Sequence, residues 1–180
     1  MATTTTPLTI DDYEGLPQEV AEKYKLVDGE LVEVSGSNLE HNDAQGCLFA
    51  EMRPFVSERH LGKVLFEQEF DFDGATHAPD ISFFGVEKLP LVDRQKRVQR
   101  FVPDLAIEIG SHTDTFHSLL LTKDRYRRCG TREVWIVSLK TREVYVFADR
   151  GYQLFTEDSE LSTPLIPGFQ IPVRKLFDQD

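Results

Sequence analysis

Sulfur and indole are scarce in this chain: two cysteines, two methionines and one tryptophan in 180 residues. Cys47 and Cys129 form no CxxC and have no histidines at zinc spacing, so neither a disulfide framework nor a zinc module is expected. A reduced, cytoplasmic setting is the economical expectation. Long apolar runs are also lacking. Strictly aliphatic or aromatic stretches such as 119–121 and 134–137 fall far short of the ~20 residues that a membrane span needs. Residues 1–7 are Thr-rich, without basic residues or an apolar core, so no secretory signal is expected and 1–6 reads as a disordered tail. Basic residues are the other deficit, 20 against 31 acidic ones, for a net charge of −11. Such a molecule is repelled by phosphate backbones, which excludes an indiscriminate nucleic-acid coat protein.

What is present is core-forming material. Thirteen phenylalanines and 40% hydrophobic residues exclude a disordered chain. A domain of this length buries roughly 70% of its unfolded surface without staples, and one domain over 1–180 is expected. The charge is uneven: between Arg94 and Arg132 nine basic residues face four acidic ones. This excess reads either as a solvated surface or as a rim facing phosphate.

Thr9 and Asp12 make a variant capping box, with Leu8 and Tyr13 as its hydrophobic staple. A second short helix is expected over 17–24. Residues 25–34 then alternate around Asp28-Gly29, a hairpin signal. Ser37 and Glu40 have capping-box spacing before a helix carrying Ala44, Leu48, Met52, Phe55 and Val56, which Pro54 should end or kink near Arg53. His41 shares the face of Ala44, Gln45 and Leu48. Strands are expected over 63–72, 77–84 and 102–109, with a charged, non-core loop over 85–101. In the third strand Leu105, Ile107 and Ile109 point one way, and Asp104, Ala106 and Glu108 the other. Ser111 to Asp114 should open a helix that runs to about Arg128 and closes at Cys129-Gly130. A hairpin follows around 140–142, then a strand over 152–155, a turn-rich 162–168, a short strand at 169–171 and a helical turn at 173–177. The fold class is α+β, with a mixed central sheet flanked by helices and an N-terminal helical and hairpin extension.

Two carboxylates attract notice. Pro79-Asp80 sits at the start of a strand otherwise made of Ile81, Phe83 and Phe84, and Glu108 lies inside the alternating strand between Ile107 and Ile109. On neighbouring strands they would stand about 5 Å apart and repel by roughly 3 kcal/mol at an effective dielectric near 20. A divalent cation is the natural partner, since Mg²⁺ accepts sites of one or two carboxylates completed by water and phosphate oxygens. Lys123 lines up with Phe116, Leu119 and Leu120 on one helical face, so it either snorkels or meets the anion Glu108. Tyr126 continues the stripe and reads first as packing. His41 fits a core histidine or a site residue, and Glu40 a capping carboxylate. Strand parity leaves open which of Glu67, Gln68 and Glu69 faces the site. His112 and His117 do not share a helical face and are not a metal pair. Trp135 reads as core.

The ordered set Pro79-Asp80, Ile107-Glu108-Ile109, Lys123 and Tyr126, then Gly130 and Val134-Trp135-Ile136-Val137, resembles the PD-(D/E)XK nuclease superfamily. More narrowly it resembles the bacterial restriction endonuclease-like group, which shares a hairpin like 25–34, a histidine like His41 and a closing Pro-Gly turn and short helix like 163–177. The resemblance implies a Mg²⁺-dependent endonuclease acting on DNA, with Mn²⁺ as substitute. Asp80, Glu108 and the carbonyl of Ile109 would be metal ligands, Lys123 the catalytic lysine, and His41, Tyr126 and Gln68 accessory residues. A symmetric homodimer would cut both strands of a duplex. The sequence departs from the superfamily at Gly110, where the usual lysine stands; the narrower group carries a lysine on the next helix instead. Two other readings remain open: a nuclease fold without catalysis that serves as a nucleic-acid or protein interaction module, and a β-rich small-molecule binder with Asp80 and Glu108 on its surface.

Overall fold

A computed structural model of the chain describes residues 6–34, 36, 38–110 and 114–178. Of the expected tail only Thr6 is therefore included, and Ser37 and His112 lie outside the described residues.

The first helix, α1 (Ile10–Glu14), begins where Thr9 and Asp12 exchange the expected capping-box hydrogen bonds. The second, α2, is one turn, Gln18–Ala21, shorter than expected because Tyr24 already opens the hairpin. Strands β1 (Tyr24–Val27) and β2 (Glu30–Glu33) pair through a two-residue turn. Asp28 and Gly29 both take positive φ there, 50° and 83°, as a primed hairpin turn requires. A side chain at Gly29 would also strike Pro7, whose Cβ lies 2.4 Å from the position a Cβ would take.

Helix α3 (Leu39–Glu58) is capped by Asn38, whose side chain accepts from the His41 N–H. It runs through Pro54 rather than ending near Arg53, correcting the sequence expectation. The lost hydrogen bond is outweighed by burial of the last turn, where Val56 is in the core and Phe55 packs edge-on against Phe169 at 5.5 Å.

The expected strand 63–72 is two strands, β3 (Gly62–Phe66) and β4 (Phe70–Phe72), broken at Glu67 where φ is 50°. The next expected strand is likewise divided, into β5 (Ala75–His77) and β6 (Ile81–Gly85). β4 and β5 form their own hairpin, and Asp80 lies on the short link entering β6. The segment after β6 is not merely polar loop. It begins with a 3-10 helix, Val86–Leu91, and later buries Val98 and Gln99 completely or nearly so.

Strand β7 (Leu105–Gly110) leads through α4 (Phe116–Arg128) to β8 (Glu133–Ser138). Thr115 caps α4, while residues 111–113 of the expected opening lie outside the described residues; Cys129 with Gly130 at φ 105° closes the helix. β9 (Glu143–Ala148) and β10 (Gly151–Phe155) continue as hairpins. The chain ends in β11 (Glu160–Ser162), which has no counterpart in the sequence reading, β12 (Gln170–Pro172) and a 3-10 turn, Val173–Leu176.

The central sheet has the order β10-β9-β8-β7-β6-β3. Only β7 and β8 run parallel, the connection that a crossover helix supplies. Helix α3 and the C-terminal turn cover one face, burying Leu48, Met52, Ile107, Ile109 and Trp135. On the other face α4 contributes Tyr126 to a cluster with Phe70, Phe72, Phe84, Ala106 and Val134. The alternation read in 104–109 holds, with odd residues under α3 and Ala106 on the α4 side. This is an α+β fold with a mixed sheet between helices.

Candidate active site

β6 and β7 are antiparallel, with Ile81 opposite Ile107 and Ser82 opposite Ala106. Extending that register by one residue sets Asp80 against Glu108. Both line one cavity of about 270 Å³, together with Lys25, His41, Glu69, His77, Ile109, Asp114, Thr122 and Tyr126. The two acids that the sequence singled out are thus brought together from stretches 28 residues apart.

Asp80 is fixed from three sides. Its carbonyl accepts from the Gln45 amide at 2.9 Å and the Glu67 N–H at 3.2 Å. Its Oδ2 accepts from the Ile109 N–H at 2.6 Å and faces His41 Nε2 at 3.2 Å. His41 and Gln45 are i, i+4 neighbours on α3, so one helix face holds both the backbone and the carboxylate. The hydrogen bond to Asp80 keeps His41 protonated to higher pH than a free imidazole, against the opposing cost of burial.

Glu108 accepts from the Tyr126 hydroxyl at 2.6 Å. Burial, reinforced by the negative charge of Asp80, pushes its carboxyl up to about 8. The Tyr126 bond and the Lys25 charge pull the other way without cancelling the shift. Tyr126 itself is held far above the ordinary phenol range by burial and by Glu108. It stacks on Phe72 at 4.2 Å, so the hydroxyl is presented by a ring that cannot swing.

A metal ion is tested against this donor set by the oxygens still available. Among the described residues Asp80 uses Oδ2 and Glu108 uses Oε1, leaving one oxygen of each without a hydrogen-bond partner. No group of three His, Cys, Asp or Glu side chains among the described residues converges as a metal site. Two carboxylates with open oxygens nevertheless fit Mg²⁺, which takes one or two such ligands and fills its remaining positions with water or phosphate.

Ile109 lines the same cavity, and the accessory candidates are distributed around it. Gln68 faces the adjoining groove that shares Asp80 and Glu69, its amide donating to the Arg97 carbonyl at 2.7 Å. Glu69 is the member of 67–69 that reaches the cavity, where it also binds the Tyr13 hydroxyl and Arg97.

Lys123 is placed elsewhere. Its amine pairs with Asp124 and lies 4.9 Å from the centre of the Phe147 ring. The α4 residues facing the cavity are Ser118, Leu119, Thr122 and Tyr126, so Thr122 occupies the aspect at which Lys123 was expected. The lysine in the cavity wall is Lys25, which sequence reasoning assigned only to the hairpin. Hydrogen bonds between Leu26 and Thr76, 2.8 Å from the Leu26 N–H, dock β1 beside β5 and bring Lys25 there. At Gly110 the α4 side chain Leu119 lies close by. A Cβ there would come within 3.1 Å of Leu119 Cδ1, a tight contact that the leucine side chain would have to yield to.

The basic excess is largely neutralised at home. Lys96 pairs with Glu14, Arg97 with Glu69, Arg100 with Asp11 and Glu14, Arg125 with Asp28 and Arg127 with Asp149. Six of the nine cations, counting Lys123, therefore already face carboxylates, and the expected phosphate-facing rim is mostly an internal charge lattice.

An α+β core with paired acids where an antiparallel strand meets the crossover strand defines a restriction-endonuclease-like protein of the PD-(D/E)XK type. The sequence profile of the Uma2 family, described as "Putative restriction endonuclease", matches residues 10–174, and the chain belongs to this family. Its fold is similar to a solved structure from Anabaena variabilis ATCC 29413, described as a "putative nuclease belonging to DUF820". The TM-score is 0.82 at 20% identity, covering 95% of this chain and 98% of that one. No curated protein matches the sequence. Among the described residues no helix is long and apolar enough to cross a membrane.

Proposed function

We propose that this protein is a metal-dependent phosphodiesterase that cleaves DNA internally, with Asp80 and Glu108 as the ligands of Mg²⁺ or Mn²⁺ and the Ile109 carbonyl as a third. The observation that carries this reading is the meeting of two carboxylates in one cavity, each, among the described residues, with an uncommitted oxygen and without an ion-paired lysine or arginine. DNA as substrate follows the description of the family to which the chain belongs.

A bound Mg²⁺ would supply Lewis acidity and a water activated for in-line attack on the phosphodiester. The chain's own residues do the rest. Tyr126 orients Glu108, while His41, Gln45 and the Ile109 N–H orient Asp80. Lys25 takes the part expected of Lys123, offsetting negative charge that develops on the phosphate.

Supercoiled plasmid incubated with the protein in Mg²⁺ or Mn²⁺ should be nicked or linearised, and Asp80→Ala and Glu108→Ala should each abolish this. Cleavage that persists in both variants would overturn the assignment.

A second reading, a nuclease fold retained as an interaction module, is favoured by one observation: α4 offers Thr122 rather than a lysine to the cavity. It predicts nucleic-acid or protein binding without cleavage in any divalent metal.

A further inference from the structure

We infer that the exposed edge of β10 pairs with β10 of a second copy of this chain, joining two central sheets into one continuous sheet around a twofold axis at Gln153. The two edges of the sheet differ in a way that matters for this. At one end β3 carries Lys63, has the 3-10 helix Val86–Leu91 packed beside it and is kinked out of strand geometry at Glu67. A lysine and a kink are the usual means by which an edge is kept from pairing with another chain. At the other end β10, Gly-Tyr-Gln-Leu-Phe, has no charged residue, no proline and no bulge. Its partner is β9 alone, and among the described residues its outer side makes no backbone hydrogen bond.

The strand is also self-complementary. In an antiparallel pair centred on Gln153, Tyr152 stands opposite Leu154 of the second copy and Leu154 opposite its Tyr152. Gln153 meets its own equivalent, so two amides meet without a charge. Tyr152 is 65% exposed and Leu154 47%. On the same sheet face Tyr152 continues into Phe147 at 5.7 Å and Tyr145 at 6.5 Å between ring centres. Phe116, 45% exposed, lies 5.0 Å beyond Tyr145. This aromatic strip runs to the sheet edge and stops there; a second copy would double it across the axis.

Net charge does not oppose the arrangement locally. The acids flanking the edge are already matched within their own chain, Asp149 by Arg127 and Glu157 by Arg142 at 2.5 Å. The register also leaves the acidic cavity open. It is built from β1, α3, β5, the link entering β6, β7 and α4, so the assembly would carry two separate cavities.

Sedimentation of the full chain should give a species of twice 20.6 kDa that dissociates on dilution. Leu154→Lys places a cation on the pair's aromatic strip and should raise the dimer dissociation constant at least tenfold. Gln153→Cys sets two thiols against each other at a cross-strand separation of about 4.5–5.5 Å between Cα atoms, within disulfide reach. It should become a covalent dimer under mild oxidation, while Glu160→Cys, also exposed but on β11, should not. A monomer at every concentration overturns the proposal. So does a dimer indifferent to Leu154→Lys, or a Gln153→Cys that cross-links no faster than Glu160→Cys.

Discussion

The two ends of β7 carry acids in opposite circumstances. Asp104, just before the strand, is buried at 4% exposure and fully matched: Lys88 Nζ lies 2.7 Å from Oδ1, and the Gly85 N–H donates to Oδ2 at 2.8 Å. Glu108, four residues on and of the same parity, has among the described residues only a phenol to bind it and another carboxylate across from it. One strand and one face thus hold a settled acid and an unsettled one. The settled acid secures the loop before β7 to the end of β6. The unsettled one leaves a like-charge repulsion in the cavity, which a divalent ion would relieve under the proposed function.

Breaking the settled end should have the largest effect on stability. Asp104→Ala strands Lys88 against buried backbone and should cost about 3–5 kcal/mol, read as a fall in denaturant midpoint. Relaxing the unsettled end should do the reverse. The Glu108 carboxyl is raised from the ordinary 4.5 to about 8, so the native state favours its protonated form. The penalty for ionising it is absent below pH ~4.5, grows as pH rises through that interval, and is complete above ~8. Glu108→Gln should therefore leave stability unchanged near pH 4 and add about 2–4 kcal/mol near pH 8, provided metal is chelated. A variant that is neutral at pH 8 would remove the contrast between the two ends.

A smaller effect separates the two lysines. Lys25→Met should lower plasmid cleavage roughly tenfold or more, about 1.4 kcal/mol in transition-state terms, with Lys25→Arg restoring part of it. Lys123→Met should leave cleavage within twofold, because its amine serves Asp124 and Phe147. The reverse order would return the role to α4. Smallest of all, Thr9→Ala should cost roughly 1 kcal/mol through loss of the α1 cap while leaving cleavage intact.

The sequence made Asp80 and Glu108 visible because strand alternation and a Pro-Asp start are local signals, and the register then brings them together. His41 was equally readable, since i, i+4 spacing on α3 ties it to Gln45. The face of α4 was not. This helix buries only Tyr126 and leaves Phe116 and Leu121 in solvent, so its apolar positions do not mark its inner side. The helical wheel therefore pointed to Lys123 where Thr122 stands. Lys25 was out of reach for a different reason. It enters the cavity because the β1 hairpin docks on Thr76, about 50 positions away, and no local pattern encodes that contact. Pro79 did mark the break before Asp80, whereas the break at Glu67 rests on a positive φ that residue type does not announce, and the passage of α3 through Pro54 rests on packing that propensity cannot foresee.

Titration of the metal-free protein with Mn²⁺ by calorimetry tests most directly whether the Asp80 and Glu108 pair is built for a divalent ion. One ion should bind per chain, and Asp80→Asn and Glu108→Gln should each weaken binding by an order of magnitude or more. Because Glu108 must lose its proton first, affinity should climb by up to tenfold between pH 7 and 8 and level off above. Absence of binding, or binding that neither substitution nor pH alters, would contradict the account.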